Sequence, residues 1–213
     1  MKSGRLERLL GDLRDLHRVL GDRVTARWHR SLPFPDELFD RWERARQLGF
    51  GEKTSIYQDS YVYGDVKVGA NTWIGPSTIL DGTGRLVIGD YCSISAGVQI
   101  YTHDTVRWAV SGGRAPYEHA PVTIHDCCHI GANSVIGRGV TVGPHAVIGA
   151  LSFVNADVPP RSVAVGVPAR VIGTVDIDAK GEMTIRYTTR GARGTPNGNR
   201  RPRAATPRRR RSR

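Results

Sequence analysis

A mainly β chain wound into a parallel β-helix is the fold class predicted by this sequence, on three observations. The first is a period of six. Aliphatic residues fall at Ile56, Val62, Val68, Ile74 and Leu80, resume at Ile88, Ile94 and Ile100, and continue at Ile124, Ile130, Ile136, Val142, Ile148 and Val154. With 39% hydrophobic residues overall, such a run has a chance probability of ~10⁻⁶ before phase is chosen. The second is a companion register four residues later, occupied by small or β-branched residues: Ser60, Val66, Thr72, Thr78, Gly84, Cys92, Val98, Cys128, Ser134, Val140, Ala146, Ser152 and Val158. The third is glycine, 25 of 213 residues, which often stands directly after the aliphatic position, as at Gly69, Gly75, Gly131 and Gly149. A helix repeats near 3.6 residues and a half-buried strand alternates at two, so neither accounts for six. Three six-residue units making one triangular coil do, with one large and one small side chain of each unit turned inward and the glycines at crowded corners.

The elements follow in order. Residues 1–50 read as helical. Leu6, Leu9, Leu10, Leu13, Leu16, Val19 and Leu20 recur at helical spacing. Pro35-Asp36-Glu37 opens a second helix that ends near Gly49. The expectation is a helical cap over one end of the main domain. Residues 51–173 hold the β-helix. Its phase slips by two at Asp81-Gly82-Thr83-Gly84, and it is interrupted by an extruded loop, 101–123, that contains Tyr101-Thr102-His103-Asp104, Trp108 and Tyr117. A long loop leaving a rigid coil is a usual place for function. Asp157-Val158-Pro159-Pro160 closes the coil, Gly166-Val167-Pro168-Ala169-Arg170 follows, and 174–188 reads as a short strand segment.

Charge separates the last region from the rest. The net charge is +11, yet ten arginines and no acidic residue lie in 189–213, leaving 21 basic and 20 acidic residues before them. The basicity therefore belongs to an Arg-rich tail expected to be disordered. Without aromatic residues, that tail offers at most nonspecific polyanion binding through counterion release. No apolar stretch approaches the ~18 residues of a membrane span. Three cysteines, Cys92, Cys127 and Cys128, form no disulfide framework, and the expected location is cytoplasmic. Cys92 and Cys128 occupy the small inward slot and read as packing residues.

The ladder, the Thr-His-Asp loop and the closing Pro-Pro and Gly-Val-Pro-Ala-Arg segments together resemble the hexapeptide-repeat acyltransferases, whose fold is a left-handed parallel β-helix. The likeness spans roughly residues 50–173 and is strongest to the sugar O-acetyltransferases of the maltose and galactoside type. It implies a homotrimer with the active site between adjacent subunits, acetyl-CoA as co-substrate, no metal, and a small acceptor such as a sugar. His103 maps onto the family's catalytic histidine. Ala132 and Ala150 map onto positions whose backbone meets the pantetheine, and Asn155, Ala156 and Arg170 onto positions near the nucleotide. The chain departs from the family pattern at Asn155-Ala156, where Thr-Lys is common, at His129, where an aromatic residue is usual, and at His125, where glycine is usual.

Acyl transfer from a thioester to a hydroxyl needs a base, and a histidine mostly neutral at cellular pH suits it. His103 would take the acceptor proton and return it to the leaving thiolate. Asp104 either orients the imidazole or binds substrate. Trp108 and Tyr117 either stack on a sugar or pin the loop, and Glu118 and His119 are further loop candidates. Two other enzyme readings remain. One is N-acetylation of an amino sugar on the same fold. The other is a γ-class carbonic anhydrase, whose three zinc histidines are spaced differently from His119, His125 and His129. A non-enzymatic β-helix scaffold whose tail binds polyanions is the third alternative.

Overall fold

In the computed structural model, which describes residues 3–188, the repeats stack as a three-faced parallel solenoid. The first face pairs Ser55–Ile56, Trp73–Ile74, Ser93–Ile94, His129–Ile130, Val147–Ile148 and Ser162–Gly166 in parallel. Ile130 faces Ile148, eighteen residues on, which is three repeats to a coil. The second face stacks the starts of strands Tyr61–Val68 and Ile79–Ile88, then Gln99–Ile100, Val135–Ile136 and Phe153–Val154. The third face stacks the ends of those two bent strands, then Val122–Ile124, Thr141–Val142 and a bridge at Val158. The expected fold class is therefore the observed one.

The two registers explain why the coils hold. Ile56, Ile74, Leu80, Ile94, Ile100, Ile124, Ile130, Ile136 and Ile148 are fully buried, stacked on the three faces and meeting in one core. Each contributes roughly 1.5–3 kcal/mol relative to an exposed side chain. The small slot has a second reason beyond volume. Ser60 Oγ donates to Gly75 O (3.0 Å), Thr72 Oγ1 to Gly89 O (2.9 Å) and Ser134 Oγ to Gly149 O (2.9 Å), so the inward hydroxyl binds a corner carbonyl of the next coil. Cys92 and Cys128 do the same with sulfur, donating to His125 O (3.2 Å) and Gly143 O (3.1 Å). They are buried, as packing residues should be. Corners are tight: a Cβ on Gly131 would lie 2.4 Å from Ala150 N. Three residues after the aliphatic position the chain turns through positive φ, at Asn71, Ser77, Tyr91, Cys127, Asn133, His145 and Leu151.

Four expectations need correction. Gly84 does not hold the inward slot of its coil. Leu86 does, fully buried, because the two-residue insertion pushes the glycine out to the edge. The second helix is broken into α2 (Phe34–Leu38) and α3 (Arg41–Gln47), since Asp40 is extended and its carboxylate caps the amides of Trp42 and Glu43. The cap itself is made by α3 and the residues after it. Ala45 and Phe50 are buried against the first coil, and Arg44 donates to Tyr57 O and Ser60 O. The long helix α1 (Ser3–Trp28) instead packs on α2 and leaves Leu6, Leu9, Leu10, Leu13 and Leu16 exposed. A fourth helix, α4 (Val106–Val110), lies in the extruded loop. At the other end Ser162–Gly166, Ala169–Ile177 and Met183–Tyr187 form an antiparallel sheet, so the closing strand begins at Ala169 rather than at 174. The Arg-rich tail lies outside the described residues.

Candidate active site

The edge between the second and third faces is where the sequence departs from regularity twice. The Asp81-Gly82-Thr83-Gly84 insertion widens one coil there, and the extruded loop leaves the next coil at the same edge. Stacking brings the two irregularities together. Asp81 Oδ2 lies 2.6 Å from Nδ1 of His103. The carboxylate is almost sealed from solvent, and the imidazole is about one-third exposed (2% and 33%).

Four donors converge on the Asp81 carboxylate. Thr83 gives its amide (3.0 Å) and hydroxyl (2.8 Å) to Oδ1, and Thr102 gives its amide (2.8 Å) to Oδ2, beside the histidine, while the Thr102 hydroxyl donates to the Asp81 carbonyl oxygen (2.9 Å). Burial pushes this carboxyl up. The Thr83 and Thr102 amides, with the Thr83 hydroxyl and His103, outweigh burial and hold it well below the usual carboxylate range. An ionised Asp81 accepts only, so Nδ1 of His103 carries a proton, and the neutral imidazole has its lone pair on Nε2. The arrangement fixes the neutral imidazole in one tautomer against a buried anion.

Asp104 has a different place. Its Oδ2 is 2.5 Å from Nε of Arg138, whose Nη2 also donates to Glu118 Oε2 (2.8 Å). Asp104 and Glu118 face each other across the two-stranded base of the loop, as do His103 and His119, whose rings lie 5.9 Å apart. Arg138, from the next coil, thus ties both loop strands to the solenoid. The orienting role weighed for Asp104 is occupied by Asp81. Trp108 and Tyr117 meet edge to face at 5.4 Å, each remaining partly exposed.

Residues mapped to the coenzyme fall in two groups. Ala132 and Ala150 stack on the edge between the first and second faces, where Leu151 N donates to Ala132 O (2.9 Å). Asn155 and Ala156 are exposed on the same edge as His103, two coils further on, and Arg170 is exposed on the terminal hairpin, donating to Ala169 O (2.7 Å). A single chain therefore does not bring Ala132 and Ala150 to His103. His125, Cys127, Cys128 and His129 do not converge, and among the described residues no three His, Cys, Asp or Glu side chains are grouped to hold a metal. A cleft of about 420 Å³ lies at the opposite end, among Trp28, Phe39, Trp42 and Tyr57. Of its charged lining, Asp40 caps a helix, Glu37 pairs with His17 and Arg41 donates to Tyr57.

Sequence reasoning missed Asp81 and Arg138. For Asp81 a signal existed, since the phase slip marks a coil reshaped at that point. Arg138, an ordinary corner residue between two glycines, carried none.

With its eighteen-residue coils and glycine corners, the chain carries the hexapeptide repeat. The family described as "Bacterial transferase hexapeptide (six repeats)" matches residues 121–156. More particularly, the chain is similar to the galactoside O-acetyltransferase of Escherichia coli (strain K12), at 32% identity over 51% of this chain and 64% of that protein. It is also similar to a 2,3,4,5-tetrahydropyridine-2,6-dicarboxylate N-acetyltransferase of Halalkalibacterium halodurans, at 37% identity over 50% of this chain and 40% of that protein. The chain thus spans less than two thirds of the length of these relatives. Among solved structures, an N-acyltransferase mutant (AntD) from Bacillus cereus in complex with dTDP and Coenzyme A superposes with a TM-score of 0.53 at 23% identity, over 62% of this chain and 88% of that one. This likeness is one of fold.

Proposed function

We propose that the protein transfers an acyl group, in the first instance acetyl, from coenzyme A to a hydroxyl of a sugar or sugar-containing acceptor. The observation that carries this reading is the His103–Asp81 pair at the edge where the loop leaves the coil. Nε2 of His103 accepts the acceptor's proton as its oxygen attacks the thioester carbonyl. The imidazolium so formed is stabilised by the Asp81 carboxylate behind it, and when the C–S bond breaks His103 returns the proton to the departing thiolate. The thioester supplies the activated acyl group. His103, Asp81 and the loop supply the base, its orientation and the walls.

The split of the site over two edges of the prism supports a homotrimer, in which Ala132 and Ala150 of one subunit approach His103 of another. The face between those edges turns Tyr61, Ile79, Val135 and Phe153 outward, an apolar surface suited to such contact. Asn155, Ala156 and Arg170 would meet the nucleotide end of the coenzyme, and Trp108, Tyr117 and the neighbourhood of Asp104 the acceptor. No described helix is long and apolar enough to cross a membrane. Three free thiols fit a reducing compartment such as the cytoplasm.

N-acetylation of an amino sugar is the second reading, favoured by the likeness to an N-acetyltransferase. The same base would serve an amine. A thiol-release screen with acetyl-CoA against sugars, amino sugars and nucleotide sugars tests both readings. Release that requires an acceptor and disappears in His103→Ala supports the proposal. Release that is indifferent to His103 across the panel overturns it.

A further inference from the structure

The extruded loop leaves the solenoid as a two-stranded antiparallel ribbon in which His103 faces His119 and Asp104 faces Glu118. Successive residues of a strand point to opposite sides, and residues directly opposite on paired strands point to the same side. The ribbon therefore sorts its four side chains by chemistry. One side carries both carboxylates, and Arg138 binds the two of them. The other side carries both imidazoles, whose rings lie 5.9 Å apart and 29° from parallel. That separation and tilt are those of an offset aromatic stack.

The two imidazoles are held unequally. His103 has Asp81 Oδ2 at 2.6 Å and Thr83 Oγ1 at 3.1 Å, both on Nδ1. A ring tethered at one nitrogen can still swing about that contact, so the direction of Nε2 depends on what lies against the ring face. His119 is exposed, and among the described residues its ring nitrogens make no hydrogen bond. Its ring contact is with His103. The loop base does not otherwise call for a ring at this position. The clamp uses Glu118, and the coil resumes at Val122.

We infer that His119 is a positioning residue for His103: its ring closes one face of the imidazole, so that the ring stays on Asp81 and Nε2 stays aimed at one point. The inference rests on the reading of His103 as the base of acyl transfer. It assigns the work to the flat face of His119 and not to its nitrogens, so a benzene ring should serve as well. The test compares His119→Ala with His119→Phe in the full-length chain. A stack of this kind is worth a factor of roughly 2–10, so His119→Ala should lower kcat by about that factor with the KM for acetyl-CoA unchanged. His119→Phe should restore it. A second readout does not depend on turnover. The proton between Nδ1 of His103 and Asp81 can be followed by low-field NMR of protein labelled with ¹⁵N-histidine. Its exchange with water should quicken in His119→Ala and return to the wild-type rate in His119→Phe. Protease cleavage within residues 105–117 should be the same in all three proteins. Wild-type turnover and exchange in His119→Ala, a His119→Phe no better than His119→Ala, or a loop opened by His119→Ala would each overturn the inference. If the proton responds as stated while no acceptor of the panel is acetylated, the stack stands and the acyl-transfer reading falls.

Discussion

Asp81 and Asp104 lie at the same edge of the solenoid and within reach of the same loop, yet their surroundings separate their work. Asp81 is sealed and fed by two threonines, so its charge is spent on His103, whereas Asp104 is turned to Arg138. Asp81→Asn should therefore lower kcat on the order of 10²–10⁴, with His103→Ala in the same range and the KM for acetyl-CoA little changed in both. Steady-state kinetics check this, and either variant retaining more than about a tenth of the activity places the base elsewhere. Stability should follow the folded-state shift of Asp81. A carboxyl held low contributes fully above its unfolded value of ~3.9, and that contribution fades as pH falls below it. The gap in denaturation midpoint between wild type and Asp81→Asn should be constant near neutrality and narrow on acidification below about pH 4.

At the scale of elements, a coil corner and the extruded loop respond to change in opposite ways. Gly131 sits where a Cβ would strike the backbone of the next coil at Ala150, and neither strand can yield without moving its neighbours. Gly131→Ala should cost about 1–3 kcal/mol, read as a lowered midpoint in denaturant; an unchanged midpoint would mean the coils are more compliant than their spacing implies. The loop is held at its base by Arg138 rather than by a core. Arg138→Met should leave the melting temperature nearly unchanged while exposing residues 105–117 to limited proteolysis and slowing turnover. Loss of fold with the loop still protected would show that Arg138 supports the coil instead. The ladder was legible in the sequence because six is a covalent count along one chain. The broken second helix was not, because Asp40's choice between continuing a helix and capping one depends on what α3 packs against.

For the whole molecule, light scattering should give close to three times the 23.4 kDa chain mass, persisting on dilution, since two of the five mapped coenzyme positions, Ala132 and Ala150, lie on an edge away from His103. A stable, active monomer would rule out the shared site. Truncation after Tyr187 removes ten arginines and no coil residue. Turnover should be unchanged, and retention on an anionic resin or RNA at low salt should be lost. Lost turnover with retention preserved would move the polyanion site into the solenoid.

By itself the sequence determined the solenoid: its period, its inward pairs, its glycine corners and the place where the chain leaves it, because each of these is written in the spacing of neighbouring residues. It also pointed to His103 through motif and resemblance. Only the tertiary structure decided which aspartate stands behind that histidine, that Arg138 clamps the loop, and that α1 keeps Leu6, Leu9, Leu10, Leu13 and Leu16 in the open. The physical reason is distance along the chain. Asp81 and His103 are separated by twenty-two residues and become neighbours only when one coil stacks on the next.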